Sequence, residues 1–128
     1  MGRMAKKLDP AETKRAVDEV AGWLQSNVGK PSRSQLAAAV RATARTLAEE
    51  LPGHAVELRV PPFVAVQCVE GPRHTRGTPP NVVEMDPETW LKLATGVSTF
   101  EAELSAGRVD ASGSRAAEVA RGLPVVRL

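Results

Sequence analysis

The chain has 128 residues, 42% of them hydrophobic and 25% charged, which is the length and balance of one globular domain with a real core. Seventeen basic against fifteen acidic residues leave a net charge of only +2, so the pI near 9.0 is no argument for nucleic acid. Trp23, Trp90, Phe63 and Phe100 are the only aromatics, too few for a base-stacking platform.

Cys68 stands alone, which rules out an internal disulfide and fits a reduced, cytoplasmic chain. MGRMAKKLDP has no apolar stretch behind its charges, so no secretory signal is expected. No apolar run approaches the ~18–20 residues of a membrane-spanning helix, so no integral membrane segment is expected.

Asp9-Pro10-Ala11-Glu12 reads as a helix start, with Asp9 as N-cap, Pro10 in the first turn and Glu12 reaching back. Val17, Val20, Ala21, Leu24 and Val28 follow on one face, and Gly29-Lys30-Pro31 is the expected stop. Ser32-Arg33-Ser34-Gln35 gives a second capping box. Leu36, Val40, Ala44, Leu47 and Leu51 form the next apolar stripe, stopped by Pro52-Gly53. Residues 9–52 are thus expected to form an antiparallel helical hairpin whose apolar faces need a partner.

After Gly53 the period changes from 3.6 to 2. Val56, Leu58 and Val60 alternate with Glu57 and Arg59, a half-buried strand with one wet face. Pro61-Pro62 interrupts it. Residues 63–70, apolar apart from Gln67 and Glu70, are expected to form a central strand pairing antiparallel with the first. Residues 81–85 form a short third strand.

Asp86-Pro87 opens a helix bearing Trp90, Leu93 and Ala94, with Gly96 at its C-terminal cap. Phe100 and Leu104 mark a further short helix, residues 108–112 a strand, and residues 114–121 a last helix capped by Ser114 and ended by Gly122-Leu123-Pro124. The apolar tail 125–128 is expected to pack back.

Between the second and third strands lies GPRHTRGTPPN, residues 71–81. Arg73, His74 and Arg76, with Thr75, Thr78 and the glycine amides, have the chemistry of a nest for a carboxylate or phosphate. The same residues also suit a rigid strand connection whose arginines pair with glutamates or cover apolar surface. As a catalytic base His74 lacks a recognisable orienting carboxylate, and Cys68 on a strand reads as a core thiol. One Cys and two His give no metal-ligand spacing, so no metal or other cofactor is expected. Arg33, Arg41 and Arg45 read as a solvated face paired with Glu49 or Glu50 rather than a phosphate track, and no nucleic-acid partner is expected.

The words DPETWLKLATG, FEAELSAGRVDASGS and LPVV, in that order and spacing, resemble the sterol carrier protein family, and most closely its bacterial ortholog branch. There the run from VELRV through LKLATG is close to a signature. The resemblance covers residues 54–128, with the helical hairpin as part of the same single domain, 1–128.

The resemblance implies an α/β (α+β) fold: a small, twisted, mostly antiparallel sheet of about five strands, covered on one side by helices. It also implies a fatty acid, acyl-CoA or other lipid held between sheet and helices without catalysis. Val64, Val66, Cys68, Val83, Met85 and Trp90 are then the expected apolar pocket, with Arg73, His74 and Arg76 at the head group. The competing expectation is a filled core and a protein-interaction module that engages a partner through the N-terminal helices. In neither case is the chain expected to be an enzyme.

Overall fold

The computed structural model describes residues 8–71 and 81–128. Asp9 caps helix α1 (Pro10–Ser26), its carboxylate accepting from the Ala11 N–H at 2.9 Å. Val17, Val20 and Leu24 are buried as the periodicity requires, but Val28 is 69% exposed. The helix ends earlier than its apolar pattern: Asn27 turns left-handed (φ 60°) and returns its N–H to the Trp23 carbonyl.

Helix α2 (Arg33–Glu50) has the full capping box. Gln35 N–H donates to Ser32 Oγ at 3.1 Å, and Ser32 N–H donates to Gln35 Oε1 at 3.0 Å. Its Val40, Ala44 and Leu47 are fully buried, and Leu36 and Leu51 lie at the margin of the core. The two helices pack together, and α2 also lies against the sheet.

Four strands form the sheet: β1 (Val56–Val60), β2 (Val64–Cys68), β3 (Val82–Met85) and β4 (Val109–Ser112), in the order β2-β1-β3-β4. Against the expected count of about five, the described residues hold four strands. β1–β2 and β3–β4 are antiparallel, and β1–β3 is parallel. β2 is therefore an edge strand, not the central one its apolar run suggested. β3 lies on the other side of β1, and Ala65 and Gln67 face water.

Register sorts the side chains. Val56, Leu58 and Val60 stand opposite Cys68, Val66 and Val64; Leu58 also stands opposite Val83, Val83 opposite Ala111 and Met85 opposite Val109. All lie on the covered face. Glu57, Arg59 and Glu84 share the other face, where Arg59 pairs with Glu57 at 2.7 Å. The alternation thus encodes a sheet with one dry and one wet face.

Gly53 adopts φ +143° where a Cβ would lie 2.2 Å from the Val69 carbonyl oxygen, so only glycine fits. The close approach lets Ala55 N–H bond Val69 O at 2.9 Å, while Val69 N–H reaches Leu51 O at 2.6 Å. Val69 itself is left-handed (φ 71°), unusual for a β-branched residue, with its side chain buried in the core.

Helix α3 (Pro87–Thr95) starts on Asp86, which accepts from Thr89 N–H at 2.7 Å, and stops at left-handed Gly96. Helix α4 (Phe100–Ser105) forms where Phe100 and Leu104 marked it; it buries Phe100 and Glu103, while Leu104 is 42% exposed. Glu103 is held by Ser98 Oγ and Arg108 Nε, each donating at 2.5 Å. The last helix is 3₁₀ (Ala116–Gly122) rather than α. Its bonds run i to i+3, and Ser114 does not cap it.

The core centres on Trp90, fully buried with Leu47, Leu58, Leu91 and Leu93. Its indole Nε1 donates to Thr43 Oγ1 at 2.8 Å, and Thr43 in turn donates to Ala39 O at 2.7 Å. No helix among the described residues is long and apolar enough to cross a membrane.

Candidate functional site

The six residues expected around a pocket do come onto one side of the sheet. Val64, Val66 and Cys68 lie on β2, Val83 and Met85 on β3, and Trp90 on α3 above them. β1 separates the two strand groups, and its Leu58 and Val60 sit between them, fully buried. Cys68, Val83 and Trp90 have no exposed surface, Met85 has 4%, and Val64 and Val66 are half-buried at the sheet edge. These side chains interlock with Leu47, Leu91 and Leu93 in one continuous cluster. Burial raises the Cys68 thiol to about 11, which keeps it protonated and unreactive at neutral pH.

Arg73, His74 and Arg76 lie outside the described residues, but both ends of their segment are visible. Arg115 joins them. Its guanidinium donates from Nη2 to the Glu70 carbonyl at 2.7 Å, and its backbone N–H donates to Asn81 Oδ1 at 2.9 Å. Asn81 is buried and spends its amide on Ala55 O at 2.8 Å. Glu118 orients Arg115 through Nε at 2.8 Å, and that hydrogen bond holds the Glu118 carboxyl below the usual range. A side chain at Gly71 would run into this guanidinium, with Nη1 2.0 Å from an added Cβ. Glycine there leaves room for the clamp.

An open cleft lies at the C-terminal end of α3, against Leu93 and Gly96. The tail builds its wall. Val125 and Val126 N–H both donate to Ala94 O, at 2.7 and 3.0 Å, and Leu128 N–H donates to Thr95 O at 3.0 Å. Carbonyls at the C-terminal end of a helix have no partner within it, and the returning tail supplies one. This brings Leu123, Pro124 and Arg127 opposite Leu93 and Phe100, with Ala117 and Ala120 of the 3₁₀ helix as the third side.

The resulting space is about 460 Å³, within the size range of small-molecule sites. Its floor is apolar and its rim carries Ser98, Thr99, Glu101 and Arg127. Arg127 has no carboxylate within ion-pair distance among the described residues. The arrangement can bury an apolar chain and meet an anionic end with one guanidinium. Smaller clefts lie at the Pro61–Pro62 turn, where Val64 contributes, between α1 and the tail, and beside Trp23. None of these four clefts is lined by Val66, Cys68, Val83, Met85 or Trp90.

The sequence reading did not pick out the cleft residues. Ala117 and Ala120 are small residues on a short helix, and Leu123-Pro124 looks like a plain stop signal. Only the weak expectation that the tail packs back pointed toward them.

Elsewhere, His54 Nδ1 bonds Gln67 Oε1 across the β1–β2 end. Among the described residues no three His, Cys, Asp or Glu side chains are grouped as a metal site.

The family model described as bacterial SCP ortholog matches residues 32–125, from the α2 cap to the returning tail. Helix α1 precedes the matched region. Comparison with curated proteins finds no match.

Proposed function

Because the chain belongs to the bacterial SCP ortholog family, we propose that it is a non-catalytic binding or carrier protein for a lipid or acyl ligand. The observation that carries this reading is the 460 Å³ cleft with an apolar floor and Arg127 on its rim. An acyl chain would lie against Leu93, Phe100, Ala120 and Leu123, with its carboxylate at Arg127. Binding and release need no covalent step. The driving force is burial of ligand apolar area, at about 25 cal/mol per Å².

A second reading rests on a different observation. The interface between sheet and helices is filled by Trp90, Leu47, Leu58 and Leu93, all at most 1% exposed. A domain packed in this way also suits an interaction module without a small ligand.

Native mass spectrometry of the purified chain with fatty acids separates the two. The carrier reading expects an acyl adduct that is lost in Ala117→Phe, an exposed position on the cleft wall, and retained in Val66→Phe. Arg127→Gln should weaken a carboxylate ligand about tenfold more than its neutral ester, the worth of one charge-assisted hydrogen bond. The opposite pattern, loss in Val66→Phe alone, moves the ligand to the sheet–helix interface. No adduct with any fatty acid overturns the carrier reading and leaves the interaction module.

A further inference from the structure

Strand β2 ends the sheet, and no other strand among the described residues lies beside it. Its open side follows from the ladder. Glu57 N–H donates to Asn81 O at 2.9 Å, toward β3, so Val56, Leu58 and Val60 turn their main-chain groups toward β2. Opposite them stand Cys68, Val66 and Val64, which complete those bonds. Ala65 and Gln67 therefore direct N–H and C=O out of the sheet, with no partner for them among the described residues. Both ends of the opening are closed. The Phe63 carbonyl accepts from Arg41 Nε at 3.2 Å, and Val69 N–H donates to Leu51 O at 2.6 Å. Edge strands commonly guard themselves with a charge or a proline, yet VAVQC, residues 64–68, has neither. Val64 and Val66 point to the covered face but stay half-buried.

Helix α2 runs along this strand. Arg33 and Arg41 close over the Phe63 ring at the β1–β2 turn, 5.2 and 6.0 Å from its centroid, and form a basic tip at the start of β2. Leu51 meets Val69 just past its end. Arg41 to Leu51 spans about 15 Å of helix, with Thr46 midway and level with Val66. Charge is split about that midpoint. Arg33, Arg41 and Arg45 precede it and Glu49 and Glu50 follow it, against the preference of the helix dipole. All five are exposed. The expected pairing of these arginines with Glu49 or Glu50 does not form within the chain. None of the five has an ion-pair partner among the described residues.

We propose that a second copy of this chain pairs with β2 edge to edge, antiparallel, about a two-fold axis at Val66. Ala65 then stands opposite the partner's Gln67 and exchanges both main-chain bonds with it, and the axis repeats the pair. Val66 meets the partner's Val66, which completes the burial of the edge valines. The same axis lays the two α2 helices side by side in opposite directions. It carries Arg45 toward the partner's Glu49 and Arg41 toward the partner's Glu50. The open bonds and the split charge are thus self-complementary about one centre. An unrelated peptide added to the edge would use the bonds but leave the charges of α2 unanswered. The proposal stands apart from the cleft at Arg127, which lies on other elements.

Sedimentation velocity of the full chain tests it. At about 100 μM and low salt, a concentration that nearly fills a dimer of micromolar Kd, the chain should run as a dimer. Ala65→Pro removes an outward N–H where an edge tolerates proline, and should run as a monomer. Arg45→Glu and Glu49→Arg should each weaken the dimer about tenfold, because the axis sets every like-charge contact twice. Mixing those two variants should restore a heterodimer, which a folding defect would not do. A wild-type monomer under these conditions overturns the proposal. So does an undiminished dimer in Ala65→Pro at a wild-type melting temperature, or a mixture that associates no better than either variant alone.

Discussion

The indole N–H of Trp90 on α3 ends on the hydroxyl of Thr43 on α2, 2.8 Å away, and both residues are fully buried. The bond ties two elements 47 residues apart through the one polar atom that Trp90 brings into the core. Thr43 is satisfied on both sides because its own proton goes to Ala39 O. Thr43→Val keeps the shape and orphans the indole, at a cost of about 1–3 kcal/mol. Urea unfolding should show that loss. In Trp90→Phe the same Thr43→Val change should cost measurably less, the difference being the coupling of the pair.

Asn81 is the corresponding joint at the end of the 72–80 segment. Its side chain donates to Ala55 O and accepts from Arg115 N–H, so one residue links β1, β3 and the start of the 3₁₀ helix. Asn81→Ala is expected to destabilise by about 2 kcal/mol, since it orphans a carbonyl and an amide together. Asn81→Asp keeps the acceptor but turns a carboxylate oxygen toward Ala55 O. Its unfolding midpoint should fall no less than that of Asn81→Ala.

Glu103 predicts an acid-sensitive term. The hydrogen bond from Arg108, then that from Ser98, holds its carboxyl below the ordinary range. A depressed folded value means stability that is complete above the unfolded carboxylate range, ~4.3. It is lost as pH falls through the folded value. Urea midpoints measured against pH should decline on acidification, and Glu103→Gln should flatten part of that decline.

Cys68 predicts the opposite slope at the alkaline end. Its thiol is raised to about 11 by burial, whereas an unfolded thiol ionises near ~8.5. Stability from this group is complete below the unfolded value and falls as pH rises from there toward the folded one. Cys68→Ala should remove that slope. At neutral pH iodoacetamide should label the native chain only as fast as it opens; rapid native labelling would contradict the buried placement.

Much of the architecture was legible because it is local. Capping chemistry placed α1 at Asp9, α2 at Ser32 and α3 at Asp86, and alternation placed the dry face of β1. The errors share a cause. β2 read as central because valines lie along it, yet strand order depends on where the next strand lands. Phe100 and Leu104 marked α4, yet Leu104 is 42% exposed and Glu103 is buried because two donors converge on it. The expected pocket residues were found together, since period and register put them on one face. Whether space remains among them depends on how α2 and α3 settle, which no periodicity carries.

Sequence by itself therefore determined the elements, their caps and the buried face of each, because these follow from side-chain chemistry over a few residues. Its ordered words also resembled the family whose model matches residues 32–125. Tertiary structure alone decided the strand order, the cleft and the basic tip. The cleft exists because Val125, Val126 and Leu128 return to the open carbonyls of α3, and the tip because Phe63 falls between two arginines of α2. Both are meetings of residues far apart in the chain, set by packing rather than by any local preference.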